Sequence, residues 1–140
     1  MPTTYWEHFP HPADMGIRGV GPTVEAAFEQ AAMAMAAIVA DLSTVEPCEP
    51  VEVYCSQPEL DLLLVDWLNS LLYQAAIRRM VFCKFNCQIS NGQLSGKAWG
   101  EPIDPAKHVL LVEVKAATLA CLDVYQDEKG RWVAQCIVDV

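Results

Sequence analysis

An α+β fold in a single domain, with two main helices packed against a largely antiparallel sheet, is predicted for this chain by three observations. Two segments, about Val24–Ala40 and about Pro58–Met80, carry apolar residues at helical spacing. Extended stretches precede and separate them. From Val81 onward the apolar period drops to two and turn residues recur, which describes a run of hairpin-linked strands. At 140 residues and 53% hydrophobic, the chain is long enough for one ordinary core. Residues 1–140 read as one domain, without internal repeat, low-complexity tract or linker.

The elements follow in order. Thr3–Phe9 can extend as a first strand, and Pro10 and Pro12 then force a turn. Met15–Val20 is a second short strand, ended by Gly21-Pro22. Thr23 is a suitable N-cap, and Glu25 complements the dipole of the helix that follows. In that helix Phe28, Ala31, Ala32, Met35, Ile38 and Val39 form the core face, and its alanines predict close approach to a sheet. Ser43–Pro50 reads as a loop and Val51–Cys55 as a half-buried strand.

Pro58 opens the second helix, whose stripe is Leu60, Leu63, Leu64, Trp67, Leu68 and Leu71. Leu62, Val65 and Leu72 widen it, so this helix should be covered on more than one side. Asp61, Asp66 and Asn69 read as its solvated face. Val81–Ile89 and Gln93–Trp99 form a hairpin about Asn91-Gly92. Gly100–Pro105 is a loop with a carboxylate near each end. Val109–Ala117 is predicted as a strand with Leu110, Val112 and Val114 on one face. Leu119–Tyr125 and Arg131–Val140 make the last hairpin around Asp127–Gly130.

The net charge of −9 argues against a direct grip on nucleic acid, which Lys and Arg drive by releasing counterions; only Arg78-Arg79 are adjacent among the nine basic residues. Such a chain suits a cation or a basic surface on a protein partner. No basic region followed by an apolar run opens the sequence, and Ala26–Ala40 is too short and polar for a bilayer, so a cytoplasmic protein without membrane contact is expected. The six cysteines include no Cys-x-x-Cys pair and read as buried thiols, Cys83 and Cys87 sharing a strand face with Val81, Phe85 and Ile89.

Two stretches stand out chemically. His8–Gly16 packs two imidazoles, a carboxylate and two prolines into nine residues. Asp139 ends an apolar strand one residue before Val140, so its side chain and the terminal carboxylate crowd two negative groups together unless a cation compensates. If the two ends meet, Asp14 adds a third anionic oxygen. Asp14, Asp139 and Val140 are therefore candidate ligands for a divalent cation, and hard oxygen donors favour calcium, magnesium or manganese over zinc, with calcium expected first. His11 can bond Asp14 or line the pocket, whereas His8 fits a structural role. His108 should hydrogen-bond within the acidic loop. Lys115 either pairs with Glu113 on a solvated sheet face or balances the carboxylates. No nucleophile elbow, phosphate loop or His-Glu-x-x-His helix occurs, so a binding domain is expected rather than an enzyme.

The residues resemble the archease family. The likeness covers nearly the whole chain. It runs through His8-Phe9 and His11-Pro12-Ala13-Asp14-Met15-Gly16, Thr23-x-Glu25-Ala26-Ala27-Phe28 and Leu64-Val65-Asp66-Trp67-Leu68-Asn69-Ser70-Leu71-Leu72-Tyr73. It continues through Gly100-Glu101-Pro102-Ile103-Asp104-Pro105 to His108, then Glu113-Val114-Lys115-Ala116, and ends on Trp132–Val140. The resemblance implies a non-catalytic activator of the GTP-dependent RNA-splicing ligase, which joins 3′-phosphate or cyclic phosphate ends to 5′-hydroxyl ends. It further implies that the partner promotes guanylylation and turnover of that ligase. By the same resemblance Asp14, Asp139 and Val140 hold the metal, and Lys115 is a functional residue beside them. Departures are Pro10 and Pro12, where archaeal members usually have Asp and Thr, and Leu119-Ala120, where they tend to have Tyr-His; the chain looks like a bacterial branch. A metal-dependent phosphoester hydrolase and a chaperone-like binding module are the alternatives.

Overall fold

In the computed structural model, which describes residues 3–140, the two helices pack among two antiparallel sheets rather than on one. The order is β1 (Tyr5–His11), β2 (Asp14–Gly21), α1 (Val24–Val39), β3 (Glu49–Ser56), α2 (Leu60–Arg78), β4 (Met80–Ser90) and β5 (Gln93–Pro102), followed by β6 (Ala116–Ala117), β7 (Asp123–Gln126) and β8 (Trp132–Asp139). The larger sheet runs β1-β2-β8, with β6 and β7 both paired along the far edge of β8. The smaller runs β3-β5-β4.

Helix α1 begins where expected. The Thr23 hydroxyl accepts the Ala26 N–H at 3.1 Å, one of the donors that a helix start leaves unpaired. Its alanines do bring it against the sheet: a Cβ on Gly19 would lie 2.2 Å from the Ala27 carbonyl oxygen and 2.3 Å from the Ala31 nitrogen. The same helix covers the open edge of β4. The Glu29 carboxylate accepts the Cys87 N–H at 2.9 Å, and Glu25 accepts that of Ile89 at 3.4 Å. An edge strand that would otherwise invite pairing is thereby closed. Burial of the Glu29 carboxyl raises its pKa.

Helix α2 carries the centre of the core. Leu63, Leu64, Trp67, Leu68 and Leu71 are buried, and the helix contacts strands of both sheets. Its predicted covering on more than one side is met. Trp67 donates its indole N–H to the Phe28 carbonyl at 3.0 Å and packs edge-on to Phe85. Gly96 makes the room, since a Cβ there would sit 2.4 Å from the Trp67 ring.

Several expectations are corrected. Pro10 does not turn the chain; β1 runs through it to His11, which an edge strand tolerates because no sheet partner awaits the missing N–H. The turn is Pro12-Ala13, with Ala13 at φ 65. Helix α2 starts at Leu60, and Arg79, left-handed at φ 53, passes the chain straight into β4. A bulge between Phe82 and Lys84 shifts the β4 register. Phe82, Phe85 and Cys87 consequently join the main core, whereas Val81 and Cys83 pack with Ala40 and Val45, so the two cysteines do not share a face. The cysteines are not all buried either: Cys87 and Cys136 are, Cys48 and Cys121 are exposed, and all six are free thiols. Burial pushes the Cys136 thiol up to about 12 and Cys87 higher, so neither is poised to react.

The largest difference concerns Val109–Ala117. Only Ala116-Ala117 pair as a strand, because residues 109–112 instead run alongside the C-terminal end of α1. The last hairpin is likewise shorter on its first arm, starting at Asp123.

Candidate functional site

The two chemically odd stretches meet at one end of the larger sheet. Strands β1 and β2 pair His11 with Asp14. The β2–β8 register closes on Met15 opposite Val138, so the next rung brings Asp14 opposite Asp139. On the other side of β8, Asp139 pairs with Ala116, and the Lys115 N–H donates to the Asp139 carbonyl at 2.8 Å. His11, Asp14, Asp139 and the Lys115–Ala116 backbone thus form one row across four strands. Ile17 and Gly19 face α1, and strand alternation turns Asp14 and its partners His11 and Asp139 to the opposite, outer face.

The tight turn sets this geometry. An alanine at positive φ is uncommon, and here Ala13 lets a two-residue connection hold His11 directly against Asp14. The His11 Nδ1 lies 4.0 Å from a carboxylate oxygen of Asp14, too far for a hydrogen bond. That nitrogen is buried and has no hydrogen-bond partner among the described residues. His8 takes the structural role expected of it, bonding the Ala34 carbonyl through Nε2 at 2.7 Å.

Lys115 is exposed and, among the described residues, makes no ion pair; of its two expected roles, the Glu113 pair on a strand face is absent because that strand does not form. Asn69 corrects the solvated-face expectation for α2. Its side-chain oxygen accepts the Ala117 N–H at 2.9 Å and its amide donates to the Ala117 carbonyl at 3.1 Å. These two bonds close the free edge of β6 and so anchor the backbone that carries Lys115. Sequence reasoning missed this residue, since the partners lie 48 positions apart. Asp66 is also engaged, accepting a hydrogen bond from Gln57 at 2.8 Å.

A second polar cluster joins the segment before β3, the end of β5 and the loop after it. Glu46, Cys48 and Glu101 bring potential ligand atoms within 4.8 Å of one another. The Lys107 ammonium already sits among them, 2.9 Å from Glu101 and 3.5 Å from Glu46. Buried His108 accepts the Asp104 N–H at Nδ1 and bonds Glu101 at 2.9 Å, as expected of it. Hydrogen bonds from His108, Lys107 and the Glu46 N–H hold the Glu101 carboxyl down at about 2. This is a satisfied ion-pair network that locks a loop, not a cation site.

The model of the Archease protein family (MTH1598/TM1083) matches residues 6–140. The chain belongs to the archease family. It is 37% identical to the protein archease of Pyrococcus furiosus over 139 residues, covering 96% of this chain and 98% of that one. With the archease of Sulfurisphaera tokodaii it shares 40% over 138 residues, with coverage of 96% and 98%. The solution structure of Methanobacterium thermoautotrophicum protein 1598 superposes with a TM-score of 0.85 at 35% identity, covering 96% of this chain and 98% of that protein. A crystal structure from Thermotoga maritima, described as an archease and possible chaperone, shares the fold at a TM-score of 0.59, 14% identity and 96% coverage of each.

Proposed function

We propose that this archease is a non-catalytic, metal-binding activator of a GTP-dependent RNA-splicing ligase, acting in the cytoplasm on the ligase rather than on RNA. The observation that supports it is the outer-face row of Asp14 and Asp139, with an imidazole nitrogen buried and unpaired beside it. Carboxylate oxygens brought onto one rung repel each other unless a cation joins them. Their chemistry suits a hard divalent ion, calcium first, with magnesium or manganese also fitting. Asp14, Asp139 and Val140 hold it, and His11 offers Nδ1 to the same space. When bound, the ion neutralises the carboxylates and gives the end of the sheet a positive centre for an anionic group on the ligase. Lys115, beside them and without an ion pair among the described residues, is a partner contact. A chain of net charge −9 suits a ligase whose phosphate-handling surface is basic.

The test is RNA ligation by the cognate ligase with GTP and Mn²⁺, measured at single and multiple turnover, with guanylylation followed separately. The natural chain should stimulate both, and Asp14→Asn and Asp139→Asn should lose the effect while keeping the fold by circular dichroism. Absence of any effect of the natural chain on guanylylation and turnover would sink the proposal. Hydrolysis of generic phosphoesters by the purified chain would do so too, in favour of an enzyme.

A further inference from the structure

We propose that residues Val109–Val112 form the open edge of a docking groove, which takes an extended, basic-flanked aliphatic segment of a partner protein as an added strand. Four consecutive aliphatic residues stay 47–56% exposed here. Runs of this kind on a strand-like edge are normally blunted or covered.

The backbone says what shape fits. The Val109 carbonyl accepts the Asp41 N–H at 2.9 Å, and the Leu111 N–H donates to the Val39 carbonyl at 2.8 Å, bracketing an antiparallel bridge between Ala40 and Leu110. In that pattern the N–H and carbonyl of Leu110 point away from α1. Neither has a hydrogen-bond partner among the described residues, so Leu110 offers one free donor and one free acceptor to an added strand, while the Val112 N–H is already given to the Ile38 carbonyl at 3.2 Å.

The side chains agree. Leu110 and Val112 border a groove of about 390 Å³ whose wall includes Leu72, Met80 and Ile103. Val109 borders another, of about 400 Å³, beside Trp6 and Leu42, and Leu111 lies on the ridge between the two and lines both. An added strand sends alternate side chains to opposite faces and fills both grooves; a helix presents one face and fills one.

Charge selects the occupant. The charged residues lining the two grooves are Glu113 and Asp41, both acidic, on a chain of net charge −9. A segment with Lys or Arg beside its aliphatic residues is complementary locally and at long range. A second copy of this chain would bring the same carboxylates and the same net charge. The inference goes beyond the ligase proposal and stands whether or not the sheet end holds a cation.

The test is an amide NMR titration of the full chain with three blocked peptides. One is Lys-Val-Leu-Val-Leu-Val-Lys, aliphatic on both faces, one has Glu at both ends, and one has proline in place of the central valine of the first. The first should give saturable shifts centred on Leu110. The other two should bind about tenfold or more weaker, through charge and through the lost ladder. Leu111→Asp, at a position 56% exposed and so tolerant of the change, should weaken the first peptide similarly, and Glu113→Gln should narrow the gap between the Lys and Glu peptides. The proposal is overturned by no shift at Leu110, by equal affinity for the Lys and Glu peptides, or by indifference to Leu111→Asp. It is equally overturned if sedimentation shows a dimer that Leu111→Asp dissolves, which would make a second copy the occupant.

Discussion

Replacing Asn69 with Ala removes a side chain that does the work of a neighbouring strand. Its amide makes two hydrogen bonds to the backbone of Ala117, at 2.9 and 3.1 Å, where no strand pairs with that edge of β6. Each bond contributes about 1 kcal/mol net. Ala117 is only 6% exposed, so water does not freely replace the lost partner. An unpaired buried N–H or carbonyl costs about 1–3 kcal/mol. Partial access of water brings the sum to about 2–4 kcal/mol, a large part of the roughly 5–15 kcal/mol typical of a domain. Urea unfolding followed by circular dichroism should show the midpoint falling with an unchanged slope. Hydrogen exchange at Ala117 should accelerate more than at Trp67. Asn69→Asp should be no rescue, because it keeps an acceptor for the N–H but sets a carboxylate against the carbonyl. A loss below about 0.5 kcal/mol, the scale of ordinary surface substitutions, with Ala117 still protected, would refute the reasoning.

Gly19→Ala forces a Cβ to within 2.2 Å of the Ala27 carbonyl oxygen, so α1 must move off the sheet; a loss of about 3 kcal/mol or more is expected from chemical denaturation. Glu101 gives a pH effect with a definite sign. Its folded pKa is lowered from 4.5 to about 2, so its contribution is complete above pH 4.5 and is lost as pH falls toward 2. Melting temperatures across that window should therefore fall less steeply for Glu101→Gln than for the natural chain, and parallel curves would contradict the ion-pair network. Calcium in excess should raise the melting temperature of the natural chain, by about 2.7 kcal/mol of stability at one hundred times the dissociation constant, and leave Asp14→Asn unmoved. Equal shifts in both would place the cation elsewhere.

The sequence by itself determined the helices, their core faces and most hairpins, because these follow from periodicity and local turn chemistry. Thr23 caps α1, Trp67 lies at the centre of α2, and Asn91-Gly92 turns β4 into β5. It also singled out Asp14 and Asp139 from their unusual settings. Only the β2–β8 register brings them onto one rung, since register between segments more than one hundred residues apart leaves no local trace. Tertiary structure alone decided the rest. It divided the strands into two sheets and flipped Cys83 away from Cys87 through a bulge. It recruited Asn69 from an apparently solvated face. Val109–Val112 shows why most clearly: a short apolar run with β-branched residues favours a strand, but the carbonyls left free at the end of α1 took up its hydrogen bonds first. Local pattern says which backbone wants a partner, and only the folded chain says which partner is within reach.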